Sequence, residues 1–186
     1  MRKLQGFTDE GSPGRDWNVA TGMVIEGKAG FQIMGDWAKG EFTAAGKVPG
    51  VDYYCAATPS NNGYLYNVDS FIFYKTNDPD KQEGQKLLAK LMMGKNFQKV
   101  FNLYKGSIPA RLDVPMDEFD KCAKTSNSDI KTAGASGGLV PSFAHGMAQG
   151  NTMKAALQDV ITEHFNSDMS SVDAANALAD SVLDNM

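Results

Sequence analysis

The stretch that decides the fold is GKAGFQIMGDW, residues 27–37. Its two leading glycines are residues that end helices, and the apolar run 31–34 is typical of a strand covered on both faces. The Gly-Asp pair that follows predicts a turn, and Trp37 comes directly after it. A Trp just past the carboxyl end of a buried strand lies where α/β folds bind ligands. Packing of the ring into the core is the alternative.

The composition indicates an ordinary globular chain. It has 186 residues, of which 42% are hydrophobic and 22% charged, enough for one large domain or two small lobes. The net charge of −4 argues against a nucleic-acid partner and against binding to an anionic membrane. The sequence has no run of 18 apolar residues, so no insertion into a membrane is expected. The first residues do not have the pattern of a signal peptide.

Outside the opening stretch, helices alternate with a few strands. Residues 51–57 and 64–74 are rich in aromatic and β-branched residues, which predicts two strands. Asp78, followed by a proline, is a strong helix start, and Ser170 with Asp173 forms a capping box for the last helix. Helices are predicted after Asp16, over 38–45, after Asp78, around 97–104, over 116–125, around 153–165 and after Ser170. The fold class is therefore α/β, helix-rich with a few short buried strands.

The sequence shows no common catalytic motif. It has no nucleophile elbow, Walker loop, G-x-G-x-x-G or H-E-x-x-H, and its His, Cys and carboxylates are not at metal-ligand spacing. We therefore expect neither a metal nor a cofactor. His164 lies in a predicted helix and is expected at its surface or at the edge of the core. His145 lies in a loop with no local packing reason, which makes a functional role as probable as a structural one.

Polar and aromatic residues at the ends of the predicted elements suit a neutral, polyhydroxylated ligand. A Trp face stacks on a sugar ring, while Asn, Asp, Lys and His share hydrogen bonds with hydroxyls. Asn67 and Asp69 are two residues apart, so on a strand they would point to the same side. A strand rim that faces solvent is the alternative for this pair. The full set is Trp17, Trp37, Asn67, Asp69, Lys105, Arg111 and His145.

Four segments resemble a known family. They are RDWNVATGMVIEGKAGFQIMGDWAKGEF from Arg15, YNVDSFIFYK from Tyr66, FNLYKGSIPAR from Phe101 and GGLVPSFAHGMA from Gly137. In this order they resemble the carboxyl-terminal half of periplasmic glucose-type solute-binding proteins. These are the substrate-capturing components of bacterial ABC sugar importers, in the group that contains the maltose-binding proteins.

The resemblance implies a role for each matching residue. In glucose binders of this kind the Trp of the G-D-W turn stacks on the sugar, and four polar residues of the other motifs bond its hydroxyls. The matching positions are Trp37, Asn67, Asp69, Lys105 and His145. Family members also carry a cysteine in a Y-x-C-A strand and another in an F-D-x-C-A helix, which implies a disulfide between Cys55 and Cys122.

The resemblance also implies a two-lobed periplasmic-binding-protein fold, of which this chain supplies the carboxyl-terminal half. Residues 1–57 and 113–186 would belong to the second lobe, and 58–112 to part of the first. The amino-terminal half of the fold, with the signal peptide, would be absent. The segment 58–112 would then lack partner strands and leave edges and apolar faces exposed.

The implied function is binding without chemistry. A monosaccharide, glucose-like, would be held in the cleft between the lobes and delivered in the periplasm to an ABC permease of the inner membrane. The alternative is a glycosidase-like enzyme in which Asp69 or Glu118 acts as acid or base, although such an enzyme needs two carboxylates across one site. An interaction module without a small ligand is a third possibility.

Overall fold

The computed structural model describes residues 1–59 and 63–186. The helices in these ranges are α1 (Arg2–Gln5), α2 (Trp17–Ile25), α3 (Lys39–Ala44), α4 (Pro79–Met92), α5 (Lys95–Lys105), α6 (Lys121–Ala135), α7 (Asn151–Asn166) and α8 (Ser171–Asp184). A 3₁₀ turn, Asp36–Ala38, precedes α3, and the strands are β1 (Tyr64–Tyr66) and β2 (Leu139–Pro141). The described chain is thus helix-rich with few strands, as predicted.

The chain divides into two compact units. Unit 1 consists of Met1–Arg15, Leu65–Asn67 and Val140–Met186, and unit 2 of Asp16–Tyr64 and Val68–Leu139. The expected lobes, 1–57 with 113–186 and 58–112, follow a different division and remain a prediction.

Unit 1 is built on two helices, α7 and α8, that pack against each other. The side chain of Ser170 accepts a hydrogen bond from the amide of Asp173 at 3.0 Å, which confirms the predicted cap of α8. Arg2 binds the connection between these helices, because its guanidinium donates to the carbonyls of Ser167 and Met169, both at 2.6 Å. His164 is buried, with Nε2 3.3 Å from the hydroxyl of Ser171.

The buried core of unit 2 lies around the start of α6. Val114, Phe119 and Ala123 form a buried cluster, against which Leu103, Ile108 and Met116 pack. Asp120 caps α6 by accepting from the amide of Ala123 at 2.9 Å. The predicted helix over 116–125 was wrong in its bounds: α6 begins at Lys121, directly after this cap, and continues to Ala135.

The predicted buried strand at 31–34 was wrong. These residues have no regular secondary structure, and the side chain of Phe31 is 96% exposed. Gln32 binds this segment to α2 instead, since its side-chain amide donates to the carbonyl of Trp17 and its oxygen accepts from the hydroxyl of Thr21, both at 2.8 Å. A strand needs a neighbour for its backbone hydrogen bonds, and among the described residues this segment pairs with none.

The two other predicted strands are mostly irregular. Within 51–57, Tyr53 makes only an isolated bridge with Pro49. Of 64–74, only β1 is a strand: the amide of Tyr64 donates to the carbonyl of Gly138, and the amide of Ser142 to that of Tyr66, each at 2.8 Å. Aromatic and β-branched composition predicts strands well only where a partner strand is present.

The helices α4 and α5 were predicted correctly. The side chain of Asp78 accepts from the amides of Asp80 and Lys81, and Gly106, with φ of 88°, ends α5. Both helices carry large apolar side chains that are exposed. In the two helices these side chains are Leu87, Leu88, Leu91, Val100, Phe101 and Tyr104. Three more, Phe71, Ile72 and Tyr74, are exposed in the segment before α4.

The disulfide between Cys55 and Cys122 is present, with its α-carbons 5.7 Å apart. This separation is within the range of such bonds and confirms the pairing that the resemblance implies. The bond connects the irregular segment after Tyr53 to the first turn of α6. None of the described helices combines the length and apolarity that crossing a lipid bilayer requires.

Replacing both cysteines, Cys55→Ser with Cys122→Ser, should lower the free energy of unfolding. Because the bond joins residues 67 apart, the chain-entropy model gives at most about 4 kcal/mol. Urea unfolding of both proteins measures the difference. As a control, a reducing agent should shift the midpoint of the wild-type chain and leave that of the double variant unchanged. Equal midpoints for all four samples would contradict a stabilising bond.

Candidate functional site

The Trp37 ring is held by its own turn. Asp36–Ala38 forms the 3₁₀ turn, and the ring folds back over the α-carbon of Gly35, where a β-carbon would overlap its six-membered ring. The ring is half-buried, so part of its surface faces solvent. A glycine at residue 35 is therefore required for this ring position, and part of the indole remains exposed.

The neighbouring carboxyl group connects this turn to a second one. Asp36 Oδ2 accepts a hydrogen bond from the amide of Ile108 at 2.9 Å. Burial raises the pKa of Asp36, while the bond from Ile108 and the positive charges of Lys39 and Lys105 act in the opposite direction. The Gly-Asp-Trp turn is thus bonded to the segment that follows α5.

Two glycines let the backbones of α3 and the end of α5 touch. A β-carbon at Gly40 would lie 2.8 Å from the carbonyl oxygen of Lys105. Gly106 has a positive φ of 88°, and a β-carbon there would lie 2.5 Å from the amide nitrogen of Gly40. Side chains at these positions would push the two elements apart, and with them Trp37 and Lys105.

Lys105 and Asp69 form an ion pair, in which the ammonium donates to Asp69 Oδ2. The ammonium also lies 5.9 Å from the centre of the Phe101 ring, within cation–π distance. The side chain of Asp69 is 62% exposed, so a ligand can reach its carboxylate. The structure therefore brings three of the five predicted ligand residues, Trp37, Asp69 and Lys105, into unit 2.

The other two, Asn67 and His145, belong to unit 1, where Ser142 contacts His145 and the residue before Asn67. Ser142 is buried, and its hydroxyl is 2.7 Å from Nδ1 of the exposed His145. The amide of Ser142 donates to the carbonyl of Tyr66, the residue directly before Asn67. The strand-based pairing of Asn67 with Asp69 was wrong, because β1 ends at Tyr66 and both residues lie outside it.

A buried ion pair beneath the Trp37 turn was not predicted from the sequence. Lys39 Nζ lies 2.7 Å from Asp120 Oδ2, and the lysine side chain is only 8% exposed. Burial acts to raise the pKa of Asp120, but the hydrogen bonds from Lys39 and from the amide of Ala123 outweigh it and lower the pKa. Because Lys39 is the first residue of α3, this pair attaches α3 to the start of α6.

Tyr53 lies next to this ion pair. Its ring stacks on that of Phe42 in α3, with ring centres 4.1 Å apart. Burial and then the negative charge of Asp120 raise the pKa of Tyr53 to about 12. Of the two residues of this ion pair, Asp120 could have been found in the sequence as an N-cap. Lys39 could not, because a lysine in a short helix gives no sign that it is buried.

Trp17 and Arg111 lie in the segments that carry the resemblance but are not among its five ligand positions, and both have structural contacts. The carbonyl of Trp17 accepts from Gln32. The Arg111 guanidinium binds Asp113 at 2.8 and 2.9 Å and the carbonyl of Met93 at 3.1 Å. Among the described residues, no group of three or more His, Cys, Asp or Glu side chains is placed to hold a metal ion.

Comparison with known proteins gives a consistent group of relatives. The chain is 46% identical over 183 residues to a protein of Brucella suis named probable sugar-binding periplasmic protein, covering 98% of this chain and 43% of the relative. A protein of Rhizobium meliloti with the same name is 44% identical over 183 residues, or 98% of this chain and 44% of the relative. An uncharacterized ABC transporter extracellular-binding protein of Pyrococcus horikoshii is 32% identical over 162 residues, or 87% of this chain and 35% of the relative.

The chain therefore spans less than half the length of these relatives. No protein-family model matches it.

The variant Gly106→Ala should destabilise the chain by roughly 1–2 kcal/mol or more, because alanine is strained at positive φ and its β-carbon would meet Gly40. Gly84→Ala is the matched control: Gly84 lies inside α4, and a β-carbon there meets nothing within 4 Å. Alanine at residue 84 should stabilise by roughly 0.5–1 kcal/mol. Urea unfolding measures both, and the same sign for the two variants would contradict the close approach.

Replacing Asp120 by asparagine tests the buried ion pair, since asparagine can still cap α6. The variant leaves the Lys39 ammonium buried without its carboxylate, and about 3 kcal/mol of stability should be lost at neutral pH. Because the folded pKa of Asp120 is lowered, its contribution is present above the unfolded value of about 4 and is lost as pH falls through the folded value. The difference between the two proteins should therefore shrink in acid.

Thermal unfolding between neutral and acidic pH measures this difference. Adding Lys39→Met to Asp120→Asn removes the unpaired charge and should recover part of the loss. A constant difference across the pH range would mean that the loss does not come from the charge of Asp120.

Proposed function

We propose that this chain is part of the solute-binding component of an ABC sugar importer. In this proposal it binds a monosaccharide, glucose-like, without transforming it. The observation that carries the proposal is the arrangement in unit 2, where a half-exposed Trp37 ring is fixed by backbone contacts to the turn that carries Lys105. The names of the relatives support a sugar as the ligand.

The chemistry of each residue fits this role. The exposed part of the Trp37 indole offers a flat apolar surface for the C–H face of a sugar ring. Lys105 donates and Asp69 accepts hydrogen bonds, and charge-assisted bonds to hydroxyls are stronger than neutral ones. The two other predicted ligand residues, His145 and Asn67, offer a ring nitrogen and an amide that can also bond hydroxyls.

The ion pairs favour binding over glycoside hydrolysis. A glycosidase needs two carboxylates on either side of the scissile bond, one of which acts as an acid. Asp69 is paired with Lys105, and Glu118, the other candidate, is 2.7 Å from the ammonium of Lys99. Each candidate carboxylate is therefore bonded to a lysine of its own, and this arrangement differs from the facing pair of carboxylates that hydrolysis needs.

The chain covers less than half the length of its relatives, which supports a place within a longer, two-lobed protein. We propose that residues 1–57 and 113–186 form the second lobe, that 58–112 belong to the first lobe, and that the remaining length of such proteins completes the first lobe. The exposed apolar side chains of α4 and α5 support this arrangement, because they would be covered there. The sugar would be bound between the lobes in the periplasm and passed to a permease in the inner membrane.

The test of this proposal is a sugar titration by calorimetry. Residues 1–186 replace the corresponding stretch of the Brucella suis relative, and the chimera is titrated with glucose, galactose, mannose and a disaccharide. Micromolar binding of one monosaccharide, about −8 kcal/mol, is expected. The 186-residue chain alone should bind at millimolar concentration or weaker, since lost hydrogen bonds each remove about 1.5–3 kcal/mol. Absence of sugar binding by the chimera, or release of a cleaved product, would overturn the proposal.

The variant Trp37→Ala in the chimera should weaken sugar binding by roughly 1–3 kcal/mol, because it removes the stacking surface. The free energy of unfolding should fall by less than the roughly 3–5 kcal/mol that is usual for a core aromatic. Trp17→Ala is the matched control, and its affinity for the sugar should stay that of the parent. Equal losses of affinity in the two variants would show that the Trp37 ring has no special role.

A further inference from the structure

Asp36 lies between the two turns that carry the proposed stacking ring and the proposed lysine. Its main chain precedes Trp37, and its side chain bonds the amide of Ile108, three residues after Lys105. We infer that Asp36 is a positioning residue of the sugar site, whose carboxylate fixes the Trp37 ring and the Lys105 turn in one geometry before a ligand binds. The inference rests on the proposed function for the nature of the ligand.

The bond from Ile108 acts directly on the turn that carries the ring. The ring covers Gly35, so a movement of residues 35–38 carries the indole with it. The Ile108 amide is part-buried, and a hydrogen bond shielded from water holds its partners more firmly than an exposed one. The backbone contact between Gly40 and Lys105 fixes the far side of the same junction. The carboxylate of Asp36 thus links the two turns through a side chain.

Burial raises the pKa of Asp36, and the charges of Lys39 and Lys105 only partly oppose that rise. Lys39 and Lys105 both attract its carboxylate. Each also pairs with another acid, Lys39 with Asp120 and Lys105 with Asp69. Acids and lysines thus alternate in the order Asp69, Lys105, Asp36, Lys39, Asp120. Burial, and less strongly the negative charges of Asp36 and Asp129, raise the pKa of Tyr64, whose hydroxyl is 2.6 Å from that of Ser126. A charged acceptor makes a stronger bond to Ile108 than a neutral one would.

The first test needs no sugar. Trp17→Phe leaves Trp37 as the one tryptophan, because the sequence has two. Acrylamide quenching of its fluorescence in the 186-residue chain then reports how well the ring is held. Asp36→Ala should raise the quenching constant toward that of the urea-unfolded chain. Asp36→Asn, whose amide oxygen can still accept from Ile108, should stay close to the Trp17→Phe parent.

Two further variants calibrate this measurement. Asp78→Ala also removes a carboxylate that accepts from backbone amides in unit 2, at the start of α4. It should lower the urea midpoint and leave the quenching of Trp37 unchanged. Gly35→Ala places a methyl group where the ring lies and should raise the quenching without any change at Asp36.

The second test is sugar affinity in the chimera, with the Asp36 variants added. Asp36→Ala should weaken binding about tenfold, the effect of losing one hydrogen bond, and Asp36→Asn should recover most of that loss. If the parent chimera binds no sugar, the proposed function fails, and the quenching series still decides whether Asp36 fixes the ring. If Asp36→Ala leaves the quenching unchanged, or Asp36→Asn behaves like Asp36→Ala, the inference is overturned even where sugar binding by the parent is intact.

The inference can still be tested if the variant Asp36→Ala does not fold. The urea midpoint of each protein is measured first, and if Asp36→Ala fails to fold, the comparison is made between Asp36→Asn and Asp36→Ser. A serine side chain is too short to reach the amide that aspartate reaches, so it should give higher quenching than asparagine. Equal quenching by these two variants would overturn the inference.

Discussion

The candidate site depends on one close approach, in which the backbone of α3 touches the end of α5 at Gly40 and Gly106. Helices that carry side chains at the contact stay 8–10 Å apart between axes, and only glycine allows backbones to meet directly. At this junction the carbonyl of Lys105 faces Gly40, and the amide of Ile108 bonds Asp36. Two segments almost seventy residues apart in sequence are thereby fixed with little freedom, and a stacking ring and an ammonium are attached to them.

The same region contains an ion pair whose lysine is nearly sealed from water. Burying a lysine is costly unless its partner is close and its remaining donors are satisfied. Asp120 supplies the close partner at 2.7 Å and at the same time caps α6, so one carboxylate stabilises two elements. The disulfide at Cys122 adds a covalent bond two residues further along. The start of α6 therefore joins the helix behind Trp37, the irregular segment at Cys55 and the buried cluster around Phe119.

The sequence was informative where the signal is local. The helix starts at Asp78 and Ser170 were predicted because a cap needs only the next three residues, and both are present. The strand at 31–34 was wrong because a strand depends on a distant neighbour, and Gln32 bonds α2 instead. The five ligand candidates came from motifs that resemble a family. The ion pair between Lys39 and Asp120 was not predicted, because it joins residues 81 apart and has no pattern in the sequence.

Neither unit is a continuous piece of chain. Unit 1 consists of Met1–Arg15, Leu65–Asn67 and Val140–Met186, and unit 2 of the two stretches between them, Asp16–Tyr64 and Val68–Leu139. Neither can be completed until distant parts of the polypeptide have met, and closing such loops is the slow step in folding. During synthesis on the ribosome, unit 1 cannot be finished before the last helices emerge. The apolar side chains of α4 and α5 have by then already been made, so a chaperone that binds such surfaces would have time to act.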